Sequence, residues 1–240
     1  MAGSQYIALS GMRTRLDQLD RLAADIANVN TAGYKTERGA DAEANRPQFT
    51  NVLESAIDVT SGSRRLDVSS GVLAPTGRDL DMALDGQGFF VVETPAGMRY
   101  TRNGHFQRSA DGTLLTDDGS VVQGTGGAIK LGSGAISVDA DGTVKAAGVA
   151  AGKLKVVTFD NPTALVAESG AKLRSDNAAP VDMANPSVRA GSLEQSNVSL
   201  VGRVAELTGV TRSFEALQKA LSLMMNDIDG RAIDQLGRMR

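Results

Sequence analysis

The feature that most constrains this chain is a heptad pattern of apolar residues near its C-terminus. Between Leu200 and Ile228, positions recur at alternating steps of four and three, and all but Thr211 and Gln218 are apolar. This spacing puts one apolar stripe along a helix, and such a helix needs a partner that covers the stripe. The apolar positions of this C-terminal seam are Leu200, Val204, Leu207, Phe214, Leu221, Met225 and Ile228.

The partner that the sequence offers lies at the other end of the chain. Residues 4–29 contain no proline and predict a helix, after which Gly33 can take the left-handed backbone conformation. Its apolar seam repeats at three, four, three, four and three, with Leu9, Met12, Leu16, Leu19, Ala23 and Ile26. We therefore predict that residues 1–35 and 195–240 form one helical inner domain, in which the two helices pair as a coiled coil.

Between the two helices the pattern changes to that of a β structure. Phe89 to Val92 predicts a short buried strand, and the Asp-Gly pairs at 111–112, 118–119 and 141–142 supply the positive φ of tight turns. The sequence therefore predicts a β-rich outer domain over residues 76–194 and an extended polar linker over residues 36–75. The predicted fold class is mixed α and β, with an antiparallel β domain inserted between paired terminal helices.

The composition excludes several classes of protein. The 240 residues carry a net charge of only -3, which gives no sign of a nucleic-acid partner. The chain has no Cys, so disulfides, thiolate metal sites and a Cys nucleophile are excluded. No apolar run has the length of a membrane span. The first residues lack the basic and apolar regions of a secretory signal, which leaves the cytoplasm or export by a machine that reads another signal.

The sequence offers no positive sign of catalysis. His105 is the single histidine, so neither a Ser-His-Asp triad nor a His-rich metal centre has support. Residues 139–142 contain part of an EF-hand loop, but Gly148 stands where the bidentate Glu belongs. Residues 124–127 lack the third Gly of a dinucleotide loop and the Lys of a P-loop. We therefore predict no enzyme activity, no cofactor and no metal site.

Three segments of the chain resemble the axial proteins of the bacterial flagellum, which form its rod and hook. Residues 27–35, with the sequence ANVNTAGYK, are similar to the N-terminal signature of that family. Residues 76–92, 100–106 and 111–112 are similar to its central block, and residues 191–198 to the segment before its C-terminal helix. The family-motif residues are Asn28, Asn30, Thr31, Gly33, Gly86, Gly88, Phe89 and Phe90.

Within this family, the chain most resembles the F-type subunits of the proximal rod. It is short for a distal rod protein, and residues 212–215 are nearer to the proximal pattern. It departs from the family at Asp25, where Asn is usual, and at Arg78-Asp79, where Arg-Pro is usual. The resemblance implies a structural subunit that assembles helically with copies of itself and with other rod subunits. The terminal helices would then build a tubular inner shell, with the β domain outside it.

The resemblance also implies a location. Such proteins leave the cell through the flagellar type III export apparatus, without a cleaved secretory signal. They form the rod of the basal body, which crosses the periplasm and transmits torque from motor to hook. The absence of Cys suits this oxidising compartment. Two alternatives stay open: a distal rod or hook protein of the same family, and a secreted β-rich adhesin or enzyme with helical tails.

A further feature of the C-terminal helix is a face of small residues. Gly202 and Gly209 lie seven residues apart, and Ala216 extends the face that they share. A well-packed helix can tolerate such glycines at a cost of about 1 kcal/mol each. The alternative interpretation is that this smooth face lets a neighbouring subunit approach closely.

Overall fold

The computed structural model describes residues 2–39 and 64–237, which belong to two compact units. The helical unit contains the chain up to Ile26 and from Ser199 onward, together with Gly39 and Arg64. The β unit contains residues 27–38 and 65–198. Residues 27–35, which the sequence analysis assigned to the helical domain, therefore belong to the β unit.

Two long helices make up most of the helical unit within the described residues. Helix α1 spans Ala2–Ala27 and helix α2 spans Leu200–Gly237. The hydroxyl oxygen of Ser199 accepts the backbone N–H of Gly202 at 3.4 Å, so Ser199 is the capping residue of α2. In the part of the chain that the structure describes, no helix combines the length and apolar character needed to cross a membrane.

The β unit is built from short strands. Those of its first half are β1 (Glu37–Gly39), β2 (Arg64–Leu66), β3 (Leu73–Pro75), β4 (Met82–Leu84), β5 (Phe89–Thr94), β6 (Gly97–Thr101), β7 (Phe106–Arg108), β8 (Leu114–Thr116), β9 (Val121–Gly124) and β10 (Gly127–Ala128). Those of its second half are β11 (Ile136–Val138), β12 (Thr143–Ala146), β13 (Val149–Lys153), β14 (Val156–Thr158), β15 (Val166–Glu168), β16 (Lys172–Arg174), β17 (Val181–Asp182), β18 (Val188–Ala190) and β19 (Ser192–Glu194).

The largest sheet is antiparallel and centres on β5. Its main path runs β15-β16-β6-β5-β9-β8-β7, β10 pairs with β9, and β14 pairs with both β5 and β17. A separate sheet has the order β11-β12-β13, and the pairs β18-β4, β19-β3 and β1-β2 complete the described strands. The pairs β18-β4 and β19-β3 bring residues that precede α2 beside the first strands of the unit.

Strand β5 is buried on both faces, which explains its continuous apolar sequence. Phe90 and Val92 are fully buried in one core cluster, and Phe89 and Val91 are buried in a second cluster. The first core contains Met82, Leu84, Phe90, Val92, Phe106, Leu114, Val122, Ile129, Leu131, Val144, Leu154, Val156 and Val188. The second contains Leu66, Phe89, Val91, Tyr100, Val157, Phe159, Leu165 and Leu173. The prediction of a buried strand at 89–92 is confirmed.

The structure confirms the mixed fold class and the antiparallel β region. The three Asp-Gly pairs lie in turns before β8, β9 and β12, and each glycine has a positive φ as predicted. Of the predicted linker over 36–75, residues 40–63 lie outside the described residues. The described ends of that segment form strands β1, β2 and β3.

Candidate functional site

Three charged side chains from distant parts of the sequence meet in the interior of the β unit. The Nζ atom of Lys35 lies 2.5 Å from Oε1 of Glu194, and NH1 of Arg102 lies 3.0 Å from Oε2 of the same carboxylate. The exposed fractions of the Lys35, Arg102 and Glu194 side chains are 1%, 4% and 0%. We call these three residues the ionic triad.

Backbone groups complete the surroundings of the triad. Lys35 Nζ donates to the carbonyl oxygen of Ser69 at 2.6 Å, and the N–H of Gly71 donates to Glu194 Oε1 at 2.9 Å. Arg102 NH2 donates to the carbonyl oxygen of Gly86 at 2.7 Å, and its guanidinium lies 5.4 Å from the centre of the Phe89 ring. Among the described residues, the buried Nε atom of Arg102 has no hydrogen-bond partner.

The triad carries two positive charges and one negative charge in a buried site. Burial lowers the pKa of Lys35 below its ordinary value, although the hydrogen bond and the charge of Glu194 act in the opposite direction. Burial also lowers the pKa of Arg102, again against the attraction of Glu194. Because both cations are desolvated, each depends on the single carboxylate that they share.

The side chain of Asn197 ties together the chain segments next to the two helices. Its Oδ1 accepts the N–H of Thr36 at 2.9 Å, and its Nδ2 donates to the carbonyl oxygen of Asp67 at 2.9 Å. Its own backbone N–H donates to the carbonyl oxygen of Tyr34 at 3.4 Å. The chain leaving α1 and the chain entering α2 are therefore fixed side by side within the β unit. We call the triad together with Asn197 the motif junction.

Of the predicted family-motif residues, Gly33, Gly86 and Phe89 contact members of the motif junction. Gly33 has a φ of +68°, and its N–H donates to the backbone carbonyl of Glu194 at 2.7 Å. The carbonyl oxygen of Gly86 accepts a hydrogen bond from Arg102, while Gly88 packs against Val156. Phe89 and Phe90 lie in the two cores.

Asn28, Asn30 and Thr31 form the turn that follows α1. Thr31 N–H donates to the carbonyl oxygen of Asn28 at 3.1 Å, and the Thr31 hydroxyl donates to Asn28 Oδ1 at 3.1 Å. Asn30 is exposed. Helix α1 ends at Ala27, so Gly33 is not the residue that closes it. Gly33 lies instead at the motif junction, where it is in close contact with the backbone of Arg102 and Asn103.

The residues of the predicted helix seam differ in exposure. The exposed fractions of Leu9 and Leu16 on α1 are 63% and 47%, and those of Leu200 and Val204 on α2 are 46% and 45%. The half-buried seam residues are Met12, Leu19, Ile26, Leu207 and Phe214. The side chains of Leu221, Met225 and Ile228 lie outside the described residues.

Among the helical-unit side chains that the structure describes, the most buried ones are not in the predicted seam. Leu22 on α1 and Val210 on α2 are 3% and 6% exposed. Asp25 is 2% exposed, and its Oδ2 lies 3.1 Å from Nε of Arg203. Val210 lies one residue before Thr211, which occupies one of the heptad positions of α2. The apolar side chains of α2 therefore form a face wider than one heptad stripe.

Metal-binding chemistry has no site among the described residues, where no group of three or more His, Asp or Glu side chains could hold an ion. His105 Nδ1 lies 2.6 Å from the buried carboxylate of Asp81. The surface near residues 108–112 has a polar cavity of about 430 Å³ between two turns. Neither feature brings together a nucleophile and a base.

Three sequence-family models match the chain, in order along it. The model of the flagella basal body rod protein matches residues 6–35, and that of the flagellar hook protein FlgE/F/G D1 domain matches residues 83–146. The model of the flagellar basal body rod FlgEFG protein C-terminal matches residues 189–234. Each matched segment contributes one member of the ionic triad: Lys35, Arg102 and Glu194, respectively.

Characterised relatives extend the match over the whole chain. The flagellar basal-body rod protein FlgF of Caulobacter vibrioides is 30% identical over 100% of both chains. The chain belongs to the flagellar basal-body rod protein family. The FlgF protein of Rhizobium meliloti is 32% identical over 98% of both chains. The FlgG rod protein of Bacillus subtilis is 32% identical over 92% of this chain and 95% of its own.

Membership of the basal-body rod family decides several of the predictions made from the sequence. The resemblance to F-type rod proteins is confirmed, since FlgF proteins match the chain over nearly its full length. The prediction of a structural, non-enzymatic protein of the flagellar basal body is confirmed by the same relatives. A protein of this family assembles with other rod subunits in the basal body.

The contacts of Asp67, whose carbonyl oxygen binds Asn197 of the motif junction, predict a loss of stability in acid. Asp67 accepts the N–H of Ser69 at 3.0 Å and lies 2.7 Å from Arg38. Burial raises the pKa of Asp67, but these contacts outweigh it and leave the pKa below its ordinary value. As the pH falls, the unfolded chain therefore takes up a proton at Asp67 before the folded chain does. The stability that Asp67 contributes is present above the ordinary pKa of an Asp and is lost as the pH falls through the lowered pKa of the folded protein.

We expect Asp67→Asn to destabilise the protein at neutral pH by roughly 0.5–1 kcal/mol, and the difference from the natural chain to shrink between about pH 5 and pH 2. Urea unfolding of both chains at several pH values measures this difference. A difference that stays constant over this range would contradict the assigned role of Asp67.

Proposed function

We propose that this protein is an F-type subunit of the proximal rod, which polymerises helically into the shaft that transmits torque from motor to hook. The observation that carries the proposal is the exposed apolar surface of the helical unit in a rod-family protein. Leu9, Leu16, Leu200, Val201 and Val204 are between 45% and 82% exposed in the single chain. Apolar side chains grouped on helices in this way favour burial against neighbouring subunits.

The proposal includes coiled-coil pairing of α1 and α2 as the inner part of the subunit. It is supported by the heptad spacing of both helices and by the antiparallel order of their contacts, in which Asp25 meets Arg203 and Gln18 meets Glu206. It is also supported by the burial of Leu22 and Val210. In this arrangement the half-buried seam residues face the partner helix, and the exposed ones meet other subunits.

The proposed location is the periplasmic part of the basal body, which the protein reaches through the flagellar export apparatus without a cleaved signal. The partners are copies of itself and other rod subunits, in a heterologous helical assembly. The net charge of -3 gives no reason to add a nucleic-acid partner. The exposed glycine face, with open space beside Gly209, is a second surface that a neighbouring subunit can approach.

A distal position in the rod is the second candidate, because one relative of similar identity is a FlgG protein. The two positions differ in where rod growth stops when the subunit is missing. Deletion of the gene, in frame and in its own host, separates them. We expect non-motile cells whose purified basal bodies lack the rod or carry a short stump, whereas a longer truncated rod would favour the distal position.

Motile cells with intact basal bodies would contradict the rod assignment.

Complementation of the deletion then tests the helix seam. The natural gene should restore swimming, whereas Leu207→Asp should not, because it puts a charge into the half-buried seam at a cost of roughly 2–4 kcal/mol. The matched control is Thr208→Asp on the exposed neighbouring position, which should restore swimming.

A further inference from the structure

The contacts between α1 and α2 contain a polar cluster whose members come from opposite ends of the chain. Asp25 Oδ2 lies 3.1 Å from Arg203 Nε, and Gln18 Nε2 donates to Glu206 Oε1 at 3.4 Å. Arg203 NH1 also lies 2.8 Å from Glu206 Oε2, which joins the two contacts. We propose that this cluster, the helix clasp, selects the register in which α1 and α2 pair.

The burial of Asp25 gives the clasp this selectivity, whereas the side chain of Glu206 is 41% exposed. The side chain of Asp25 is only 3% exposed, and that of Arg203 is 20% exposed. Leu22 on α1 and Val210 on α2 are also buried in the helical unit. A buried ion pair adds little to stability compared with apolar residues, but an arrangement that separates its charges is strongly disfavoured. Single buried polar residues fix the register of coiled coils in this way.

Apolar contacts alone cannot select the register. Apolar seam positions recur every three or four residues on both helices, as Leu16 and Leu19 do on α1 and Leu200, Val204 and Leu207 do on α2. A shift of one helical turn moves the contacts by only about 5.4 Å. Many apolar contacts would be replaced by equivalent ones after such a shift.

The clasp distinguishes the native register from both neighbouring registers. Residue numbers rise along α1 as they fall along α2, because Gln18 meets Glu206 and Asp25 meets Arg203. A shift of one turn in one direction puts Asp25 opposite Glu206, where two negative charges repel. A shift in the other direction puts Arg203 opposite Gln18 and moves Asp25 past Leu200, where α2 begins. Both shifts separate the buried carboxylate from Arg203.

Chemical cross-linking of the purified full chain can measure the register directly, since the chain has no Cys of its own. The probes lie one heptad away from Gln18 and Glu206 on both helices, so that the clasp stays intact, and the pair Gly11→Cys/Ser213→Cys reports the native register. The pairs Gly11→Cys/Ala216→Cys and Gly11→Cys/Gly209→Cys report shifts of one turn in either direction. A short bis-maleimide is added at a protein concentration at which no cross-linked dimer forms.

In the otherwise natural chain, the native pair should cross-link at least about tenfold faster than either shifted pair. Asp25→Arg or Arg203→Asp should reduce this preference by at least about tenfold. The exchanged pair Asp25→Arg/Arg203→Asp, made in a Glu206→Gln chain so that no like charge lies beside position 203, should restore it to within about threefold of the preference of the Glu206→Gln chain. The control is Asp20→Arg, a charge reversal on the exposed face of α1, which should leave the preference unchanged.

Four results would overturn the inference. They are a natural chain without preference, single reversals that leave the preference unchanged, and an exchanged pair that fails to restore it. The fourth is an equal loss of all three cross-links in the single reversals, because the clasp would then hold the helices together without choosing their register. The inference rests on the proposed helix pairing, but the assay uses the isolated chain. A motile deletion strain would therefore refute the rod assignment and leave the cross-linking result unaffected.

Discussion

Replacing Glu194 by glutamine should destabilise the β unit by about 3–5 kcal/mol, because it leaves two buried cations without a negative partner. Glutamine keeps the shape of the side chain and an oxygen that can accept the N–H of Gly71. It removes the charge to which Lys35 and Arg102 are held at 2.5 Å and 3.0 Å. The expected loss is a large part of the stability of a typical domain.

Urea unfolding of the purified full chain, followed by tyrosine fluorescence, measures this loss. Two of the three tyrosines, Tyr34 and Tyr100, lie in the β unit. The matched control is Asp85→Asn, which breaks an ion pair to Arg189 whose side chains are 54% and 58% exposed. An exposed pair contributes at most about 1 kcal/mol, so this control should change stability little.

A second substitution separates charge from shape in the ionic triad. Lys35→Met in the Glu194→Gln chain removes one of the two unpaired cations, so the double variant should be more stable than Glu194→Gln alone. If the two substitutions instead destabilise additively, the desolvated charges are not the cause of the loss. Equal effects of Glu194→Gln and Asp85→Asn would also contradict the role assigned to the triad.

The local features of the fold were predictable because they depend on residues close together in the sequence. Heptad spacing predicted both helices, and the Asp-Gly pairs predicted three turns. The apolar run Phe89–Val92 predicted a buried strand, although alternation could not show that its two faces serve different cores. Sheet order was not predictable, since β5 pairs with β6, β9 and β14, and only one of these follows it directly.

The motif junction was not predictable from spacing, because its members lie far apart. Lys35, Arg102 and Glu194 each stand in a polar segment whose local pattern indicates a solvated charge. The pairing of β19 with β3 places Glu194, the turn after α1 places Lys35, and the end of β6 places Arg102. Asn197 shows the same limit: an Asn just before a helix is a typical cap, but its side chain bonds to Thr36 and Asp67, and Ser199 caps α2.

Gly33→Ala should be the most damaging small substitution at the junction, with a loss of more than about 3 kcal/mol. Gly33 has a φ of +68°, in which a residue with a Cβ costs about 1–2 kcal/mol. An added Cβ would also lie 2.2 Å from the carbonyl carbon of Arg102 and 2.2 Å from the backbone nitrogen of Asn103. Because both contacts are to backbone, relief requires moving the chain that carries a member of the ionic triad.

Two other glycines allow the conformational and steric effects of Gly33→Ala to be separated. Gly77 has a φ of +72° with open space where a Cβ would lie, so Gly77→Ala should cost only the conformational part, about 1–2 kcal/mol. Gly104 has an ordinary φ, but its Cβ would lie 1.6 Å from the carbonyl oxygen of Met82, so Gly104→Ala measures the steric part. Urea unfolding should rank Gly77→Ala as mildest. A Gly33→Ala chain as stable as Gly77→Ala would mean that residues 102–103 can move away freely, and the junction could not then fix the chain segments beside the two helices.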